Sequence, residues 1–187
     1  MGWKDFFNKK NNPEKDSLTD LILAGLKTGY YVDWDMKTWE VVSSSWYNWG
    51  DNDITYEWQL KSVDDTVYLE YQSDDEEYWS ICRKIDFGKL DPGIKKHILD
   101  HGDPPEEIRY NNETYYLEES GGGHYFKDAD SSGQELISWN YEDEEGNNFL
   151  TIEQWGENRF EASFGFPVEE YQFTDILPGG EKNESSL

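Results

Sequence analysis

The chain repeats part of its own sequence, and this duplication constrains the fold more than any single motif does. Apolar residues recur at a fixed spacing of 81 positions: Trp58 matches Trp139, Leu69 matches Leu150, and Trp79 matches Phe160. Two further blocks, residues 34–41 and 110–117, match at a spacing of 76 positions. Self-similarity of this kind predicts two copies of one structural unit, which we expect to pack as a pseudo-twofold pair.

Each copy is predicted to consist of antiparallel strands. Over residues 56–61 aromatic and aliphatic residues alternate with polar ones, which is typical of a strand with one buried face and one face in water. Residues 34–39 and 110–115 each predict a tight hairpin, and Asn111-Asn112 suits the second because asparagine tolerates a positive φ. A closing strand is predicted over 168–173.

The predicted fold class is therefore mainly β, with two tandem pseudo-symmetric antiparallel repeats joined by a short helical linker. The repeats are expected to be small curved sheets or barrel-like units, which pack either as two sheets or as one continuous sheet. Short helices are predicted over 18–26 and 91–99. The expected division is an N-terminal tail over 1–16, a first repeat over 17–85, the linker over 86–106, a second repeat over 107–178 and a C-terminal tail over 179–187.

The charge balance excludes one class of partner. The chain has 41 acidic residues against 16 lysines and arginines, a net charge of −25, so a phosphate backbone would be repelled and nucleic-acid binding is not expected. Cations, polyamines or a basic protein surface remain possible partners, and the simpler interpretation is an acidic surface that maintains solubility. The 9 tryptophans, 13 tyrosines and 9 phenylalanines favour a folded core over disorder.

No segment has the long apolar run of a signal peptide or a membrane span, so we expect a cytoplasmic protein. Cys82 is the single cysteine, which excludes an intramolecular disulfide and a paired-cysteine metal site. Residues 1–12 are nonetheless aromatic and basic. Trp3, Phe6, Phe7, Lys9 and Lys10 form a candidate anchor for a membrane surface or a partner, and the alternative is a tail that packs on its own domain or is frayed.

Candidate chemistry is sparse, and we predict a protein that is not an enzyme, with no catalytic residue, no metal and no cofactor. Residues 128–133 begin like a calcium loop, but Trp139 stands where a bidentate glutamate is needed. His97 and His101 are spaced to share a helix face but have no evident third ligand. The glycine run over 121–123 is not followed by the lysine that a phosphate-binding loop requires. The run predicts close strand packing or a bulge.

The most distinctive surface candidate is aromatic. Two clusters occupy corresponding places after the first hairpin of each copy, where the copies differ in length. We expect them to line one groove as a ligand or partner surface, although long strands that contribute to the core would produce the same pattern. The candidate residues are Trp46, Tyr47, Trp49, His124, Tyr125 and Phe126.

Several segments of the second copy resemble a bacterial domain-of-unknown-function family, number 4178. They are residues 115–119, 137–139, 149–157 and 176–178, and residues 29–41 look like the same unit in the first copy. The resemblance covers about residues 17–178. It implies a β-rich, internally duplicated protein, and it brings no activity and no catalytic residues that could be assigned to positions of this chain.

The expected function is therefore a non-enzymatic, β-rich interaction module that binds a protein partner. Two alternatives stay open: an acidic binder of cations or polyamines, motivated by the charge and the acidic turns, and a membrane-surface adaptor anchored by the N-terminal segment. The oligomeric state is open as well, because exposed edge strands can pair with another chain.

Overall fold

Eleven antiparallel strands form one sheet in the computed structural model, which describes residues 21–73, 77–128 and 130–179. One α-helix, α1, spans Ile94–His101, and short 3₁₀ turns span Leu23–Gly25, Phe87–Lys89 and Glu170–Gln172. The strands are β1 (Tyr31–Trp34), β2 (Lys37–Gly50), β3 (Asp53–Lys61), β4 (Thr66–Ser73), β5 (Glu77–Ile85), β6 (Glu107–Tyr110), β7 (Glu113–Lys127), β8 (Gln134–Asp143), β9 (Phe149–Gly156), β10 (Arg159–Val168) and β11 (Thr174–Leu177).

Eight of these strands close into a ring. Neighbours follow the order β2-β3-β4-β5-β10-β9-β8-β7, and β7 pairs back with β2. Strands β1 and β11 extend the sheet beyond β2, and β6 extends it beyond β7. The expectation of one continuous sheet is thus confirmed, and the alternative of two separate small sheets is wrong.

The two longest strands make closure possible because each serves two neighbours on the same side. Residues 37–40 of β2 pair with β1, whereas residues 45–48 pair with β7. In β7, residues 113–116 pair with β6 and residues 124–127 pair with β2. Register shifts interrupt β2 between Val41 and Ser43 and β7 between Leu117 and Glu119, and such irregularities bend a strand away from one partner towards another.

Both predicted hairpins are confirmed. Asp35 and Met36 have φ values of 49° and 59°, and Asn111 and Asn112 have values of 50° and 67°. Two successive residues with positive φ form the two-residue turn whose twist matches that of the flanking strands. The local sequence therefore determines where β1 meets β2 and where β6 meets β7.

The apolar core lies on the outward face of the ring and forms two clusters. In the first, Trp58, Leu60 and Leu69 are covered by Leu26 and by other residues of the protein that lie outside the ring strands. The second cluster joins ring residues to α1 and to β6. Its fully buried members include Trp139, Tyr141, Leu150 and Ile152, packed with Ile94, Ile98 and Ile108. Each apolar face is thus shielded by added segments and not by the ring interior.

Three predictions of local structure have different outcomes. The strand predicted over 168–173 is wrong, because Glu170–Gln172 is a 3₁₀ turn closed by a reciprocal capping box and the last strand is β11. The helix expected over 91–99 is present as α1. Of the helix expected over 18–26, residues 18–20 lie outside the described residues, and residues 21–26 contain only the 3₁₀ turn Leu23–Gly25, so no α-helix forms there. In the described part of the chain, no helix is long and apolar enough to cross a bilayer.

Candidate functional site

The inside of the ring is polar, which corrects the expectation that the polar face of each strand lies in water. On β3, Trp58 and Leu60 point outward into the apolar cluster, so the intervening Glu57 points inward because successive side chains of a strand alternate. Glu57 is only 4% exposed, and Glu153 on β9 is 6% exposed. The face that reads as solvated in the sequence is therefore enclosed by the closed sheet.

A cavity of about 400 Å³ opens at one end of the ring. Residues of seven ring strands line it, so the cavity is part of the ring interior. No lysine, arginine or histidine is among the described residues that line it, and the aromatic side chains at its wall include Tyr47, Trp49 and Phe149. Its six carboxylates are Asp53, Glu70, Glu118, Glu119, Glu142 and Glu153.

Glycines of β7 shape this cavity. A Cβ at Gly121 would meet no atom within 4 Å. Because a larger side chain at this position would project into the cavity, the glycine leaves that space free. A Cβ at Gly123 would lie 2.5 Å from Cε3 of Trp49, so that glycine makes room for the indole. The indole nitrogen of Trp49 donates to Oγ1 of Thr55 at 3.0 Å. Close packing at Gly123 agrees with the structural interpretation of the glycine run.

The six predicted aromatic-site residues meet where β2 pairs with β7. Trp46 faces Phe126, Tyr47 faces Tyr125, and Asn48 faces His124 in the register. The pair Trp46 and Phe126 stacks with ring centroids 4.0 Å apart, and both side chains are partly exposed. His124 is exposed, with Nε2 3.7 Å from Oε1 of Glu135. The sequence predicted that these clusters meet, but not that they form the closing pair of the ring.

Three of the six point into the ring and not towards solvent. Tyr47 is 4% exposed and stacks on Trp49 at 5.3 Å between ring centroids. The ring of Tyr125 lies 5.0 Å from that of Tyr47. Tyr47 and Trp49 line the cavity, so they suit a ligand inside the ring better than a protein surface outside it. The anchor candidates Trp3, Phe6, Phe7, Lys9 and Lys10 lie outside the described residues, and that hypothesis stays a prediction.

Two carboxylates, the buried Glu153 and the half-buried Glu161, converge on one base, Lys84. Lys84 Nζ lies 2.8 Å from Oε2 of Glu153 and 3.6 Å from Oε2 of Glu161. Desolvation lowers the pKa of Lys84, but the charge and hydrogen bond of Glu153 outweigh it and leave the pKa raised. Lys84 is therefore charged, and it is held by Glu153.

The environment of Glu57 is different. Burial is the largest cause that raises the pKa of Glu57 from 4.5 to about 7, and the charge of Glu70 adds to it. Burial raises the pKa of Glu70 as well, partly offset by the hydroxyl of Ser80, which donates to Glu70 Oε2 at 3.0 Å. Burial raises the pKa of the nearby Cys82, so this residue is a thiol and not a reactive thiolate.

We expect Glu57→Gln to remove part of the pH dependence of stability. A carboxyl whose pKa is higher in the folded state binds its proton more tightly there, so stability falls as the pH rises from about 4.5 to about 7. The slope from this group is about 1.4 kcal/mol per pH unit. Urea unfolding at several pH values measures it. Glu157→Gln, in the exposed turn between β9 and β10, should keep the wild-type slope, and an equal slope in both variants would contradict the assignment.

The remaining candidates of the sequence do not form a site. The rings of His97 and His101 lie 4.5 Å apart on α1, as their spacing predicts, and Nδ1 of His97 lies 2.9 Å from the carbonyl oxygen of Asp103. Over residues 21–73, 77–128 and 130–179, no group of three or more histidine, cysteine or acidic side chains is arranged to hold a metal ion.

Three inward-facing glutamates were missed by sequence reasoning. Glu57, Glu70 and Glu153 occupy polar positions in alternating strands, which a sheet with one wet face would place in solvent. Only the closure of β7 onto β2 encloses that face. A usable signal would have been the clustering of serines at the same inward positions, since Ser45, Ser80 and Ser138 are also buried.

Comparison with known proteins gives a family but no activity. A family model with the description "Domain of unknown function (DUF4178)" matches residues 27–170, which confirms the resemblance found in the sequence. An uncharacterized protein of Aquifex aeolicus (strain VF5) is 27% identical over 175 residues, which cover 94% of this chain and 96% of that protein. No solved structure matches the chain.

Proposed function

The chain belongs to the DUF4178 family, and we propose from its site geometry that it is a non-enzymatic binding protein whose ring holds a small organic cation. The observation that carries the proposal is the cavity of about 400 Å³ whose described lining contains six carboxylates and no basic side chain. A cavity of this size matches a small ligand. A cation in it would neutralise several carboxylates that line one cavity.

The cavity wall favours an extended amine such as a polyamine over a bare metal ion. Tyr47 and Trp49 present stacked aromatic faces, which attract ammonium groups through the ring quadrupole. Carboxylates occur both at depth, where Glu153 is buried, and at the exposed mouth, where Glu119 and Glu142 lie. A flexible chain with several ammonium groups could contact both levels at once.

Spermidine binding tests the proposal. We expect saturable binding at micromolar spermidine by isothermal titration calorimetry, with a matching rise in melting temperature. Glu70→Gln removes a carboxylate of the cavity wall and should weaken binding about tenfold or more, since removing one partner of a desolvated ion pair has large effects.

Glu157→Gln is the matched control, because it removes the same charge from an exposed turn at the far end of β9. Its spermidine affinity should equal that of the wild type. Sodium, magnesium and calcium chloride at equal ionic strength separate binding from charge screening. A melting temperature that rises only at millimolar concentration, and equally for every cation, would refute the proposal.

A protein partner is the second candidate function, favoured by the stacked pair on the outer side of the closing strands. Trp46 and Phe126 are both partly exposed and nearly parallel, with an interplanar angle of 8°. Aromatic anchors of this kind are enriched in interfaces. Trp46→Ala should then reduce the affinity for a purified partner without changing spermidine binding, and an unchanged partner affinity would exclude this surface.

We also propose that the ring is built from two tandem repeats, residues 17–85 and 107–178, joined by a linker over 86–106 that contains α1. What supports this is the strand order, in which β2–β5 follow one another along the ring and β7–β10 do the same. Trp58 and Trp139 match in the sequence, and both point outward. Each donates an indole hydrogen bond to a segment outside the ring, Trp58 to the carbonyl oxygen of Leu26 and Trp139 to Oδ1 of Asp103. Separate expression of each unit tests the proposal, since neither half should form a closed, monomeric ring.

A further inference from the structure

Two glutamates lie directly opposite each other inside the ring. Glu57 on β3 and Glu70 on β4 are partners in the register, and opposite side chains on one face lie about 5 Å apart at Cβ. Glu57 is 4% exposed, so water screens the pair poorly. Like charges at such a position destabilise the folded state, and the simplest relief is for one carboxyl to keep its proton.

The hydroxyl of Tyr47 lies between two of the buried carboxyls. Its oxygen is 3.3 Å from Oε2 of Glu57 and 3.4 Å from Oε1 of Glu153. A phenol has one proton and can donate to only one of these oxygens. The other contact is a hydrogen bond only if that carboxyl donates to the phenol oxygen.

The position of Lys84 decides which carboxyl is neutral. Lys84 Nζ donates to Glu153 at 2.8 Å, so Glu153 is the charged member. If Tyr47 donates to Glu153, a proton on Oε2 of Glu57 can be donated to the phenol oxygen of Tyr47. Ser45 Oγ donates to the other carboxyl oxygen, Oε1 of Glu57, at 2.8 Å. Each of these contacts is then a hydrogen bond, whereas an ionised Glu57 would compete with Glu153 for the proton of Tyr47.

The groups around Glu57 come from six elements of the ring. Among the described residues that affect it or its partners electrostatically, Lys84 is the base, and Glu153 and Glu161 hold it. Among these described residues, no second base offsets the charge of an ionised Glu57. The titratable groups are Tyr47 on β2, Tyr68 and Glu70 on β4, Cys82 and Lys84 on β5, Tyr125 on β7, Glu153 on β9 and Glu161 on β10.

We infer that cation binding is linked to proton release, because Glu57 holds a proton in the absence of a bound cation and gives it up when a cation sits against Glu70 and Glu153. This inference rests on the proposed function and specifies how that site is regulated. The proton leaves Oε2 of Glu57 for bulk buffer, and the bound cation supplies the positive charge that keeps the ionised carboxylate stable. Tyr47 is a positioning residue, since its hydroxyl turns from Glu153 to donate to Glu57.

The first test needs no ligand. Infrared difference spectra of the full chain across neutral pH should show a protonated-carboxyl band that disappears as the pH rises, and Glu57→Gln should remove that band. Tyr47→Phe should move its midpoint to higher pH, because the ionised Glu57 loses a charge-assisted donor. Absence of the band in the wild type, or its persistence in Glu57→Gln, would overturn the inference.

The second test measures the linkage. Calorimetric titration with spermidine in two buffers of different ionisation enthalpy should give different apparent enthalpies for the wild type and equal ones for Glu57→Gln. Wild-type affinity should fall about tenfold per pH unit below the midpoint of Glu57, and the variant should lack this dependence. Buffer-independent enthalpies in the wild type would overturn the linkage.

The two tests separate the inference from the function on which it rests. Spermidine binding without proton release leaves the proposed function standing and overturns the inference. A protonated Glu57 in a protein that binds no spermidine overturns the proposed function and the linkage, while the charge state of Glu57 stands.

Discussion

Replacing Gly165 with alanine should destabilise the protein by about 3 kcal/mol, because no space exists for one methyl group. Gly165 lies on β10 opposite Cys82, where β10 pairs with β5 and joins the two runs of ring strands. A Cβ there would lie 2.4 Å from Cζ of Phe149 and 2.5 Å from the carbonyl oxygen of Ile81. The carbonyl belongs to the paired strand and cannot rotate away as a side chain can, so the two strands must separate locally.

Gly121→Ala is the matched control, since it makes the same substitution in another strand of the same ring. Neither glycine has a φ in the left-handed region, and a Cβ at Gly121 would meet nothing within 4 Å. We expect its stability to change by no more than about 0.5 kcal/mol. Urea unfolding of both variants measures the difference, and an equal effect at the two positions would show that the close approach at Gly165 does not control stability.

Trp139→Ala should reduce the free energy of unfolding by about 4 kcal/mol. The side chain is 1% exposed in the second apolar cluster, and its indole nitrogen donates to Oδ1 of Asp103 at 3.0 Å. Truncation would leave a cavity between the ring and α1. Chemical denaturation monitored by circular dichroism measures the loss.

Two further variants separate packing from hydrogen bonding at this position. Trp139→Phe keeps most of the buried area and should lose only about 1 to 2 kcal/mol. Asp103→Asn keeps an acceptor and should be nearly neutral. If Trp139→Phe were as damaging as Trp139→Ala, the indole hydrogen bond and not the buried area would be the main contribution. Trp58, whose indole nitrogen donates to the carbonyl oxygen of Leu26 at 2.9 Å, should respond similarly.

The inverted polarity of the ring links its stability to its proposed function. Most small β-proteins bury an apolar interior, whereas here the apolar clusters lie outside the ring under added segments. The interior is then free to hold carboxylates, but each buried acid opposes folding unless it is protonated or paired. A bound cation would remove that opposition, so ligand binding and stability should rise together.

Part of the candidate site could be predicted from the sequence. The aromatic clusters around Trp46 and Tyr125 were expected to meet, and the register places them on paired strands. The sequence could not show which of these aromatic side chains face the cavity, although successive side chains of a strand must point to opposite faces. Only the closed ring shows that Tyr47 faces inward while Trp46 faces outward. The carboxylate of Glu57 was expected in water for the same reason.

What the sequence determined by itself is local: strands with period-two alternation, and turns at Asp35-Met36 and Asn111-Asn112, where positive φ specifies the hairpin. These features depend on a few adjacent residues and their dihedral angles. The tertiary structure alone decided which face of each strand is enclosed. That choice depends on pairing between distant segments, as when Trp46 meets Phe126, and on the segments that cover the apolar face, and neither leaves a periodic signal in the sequence.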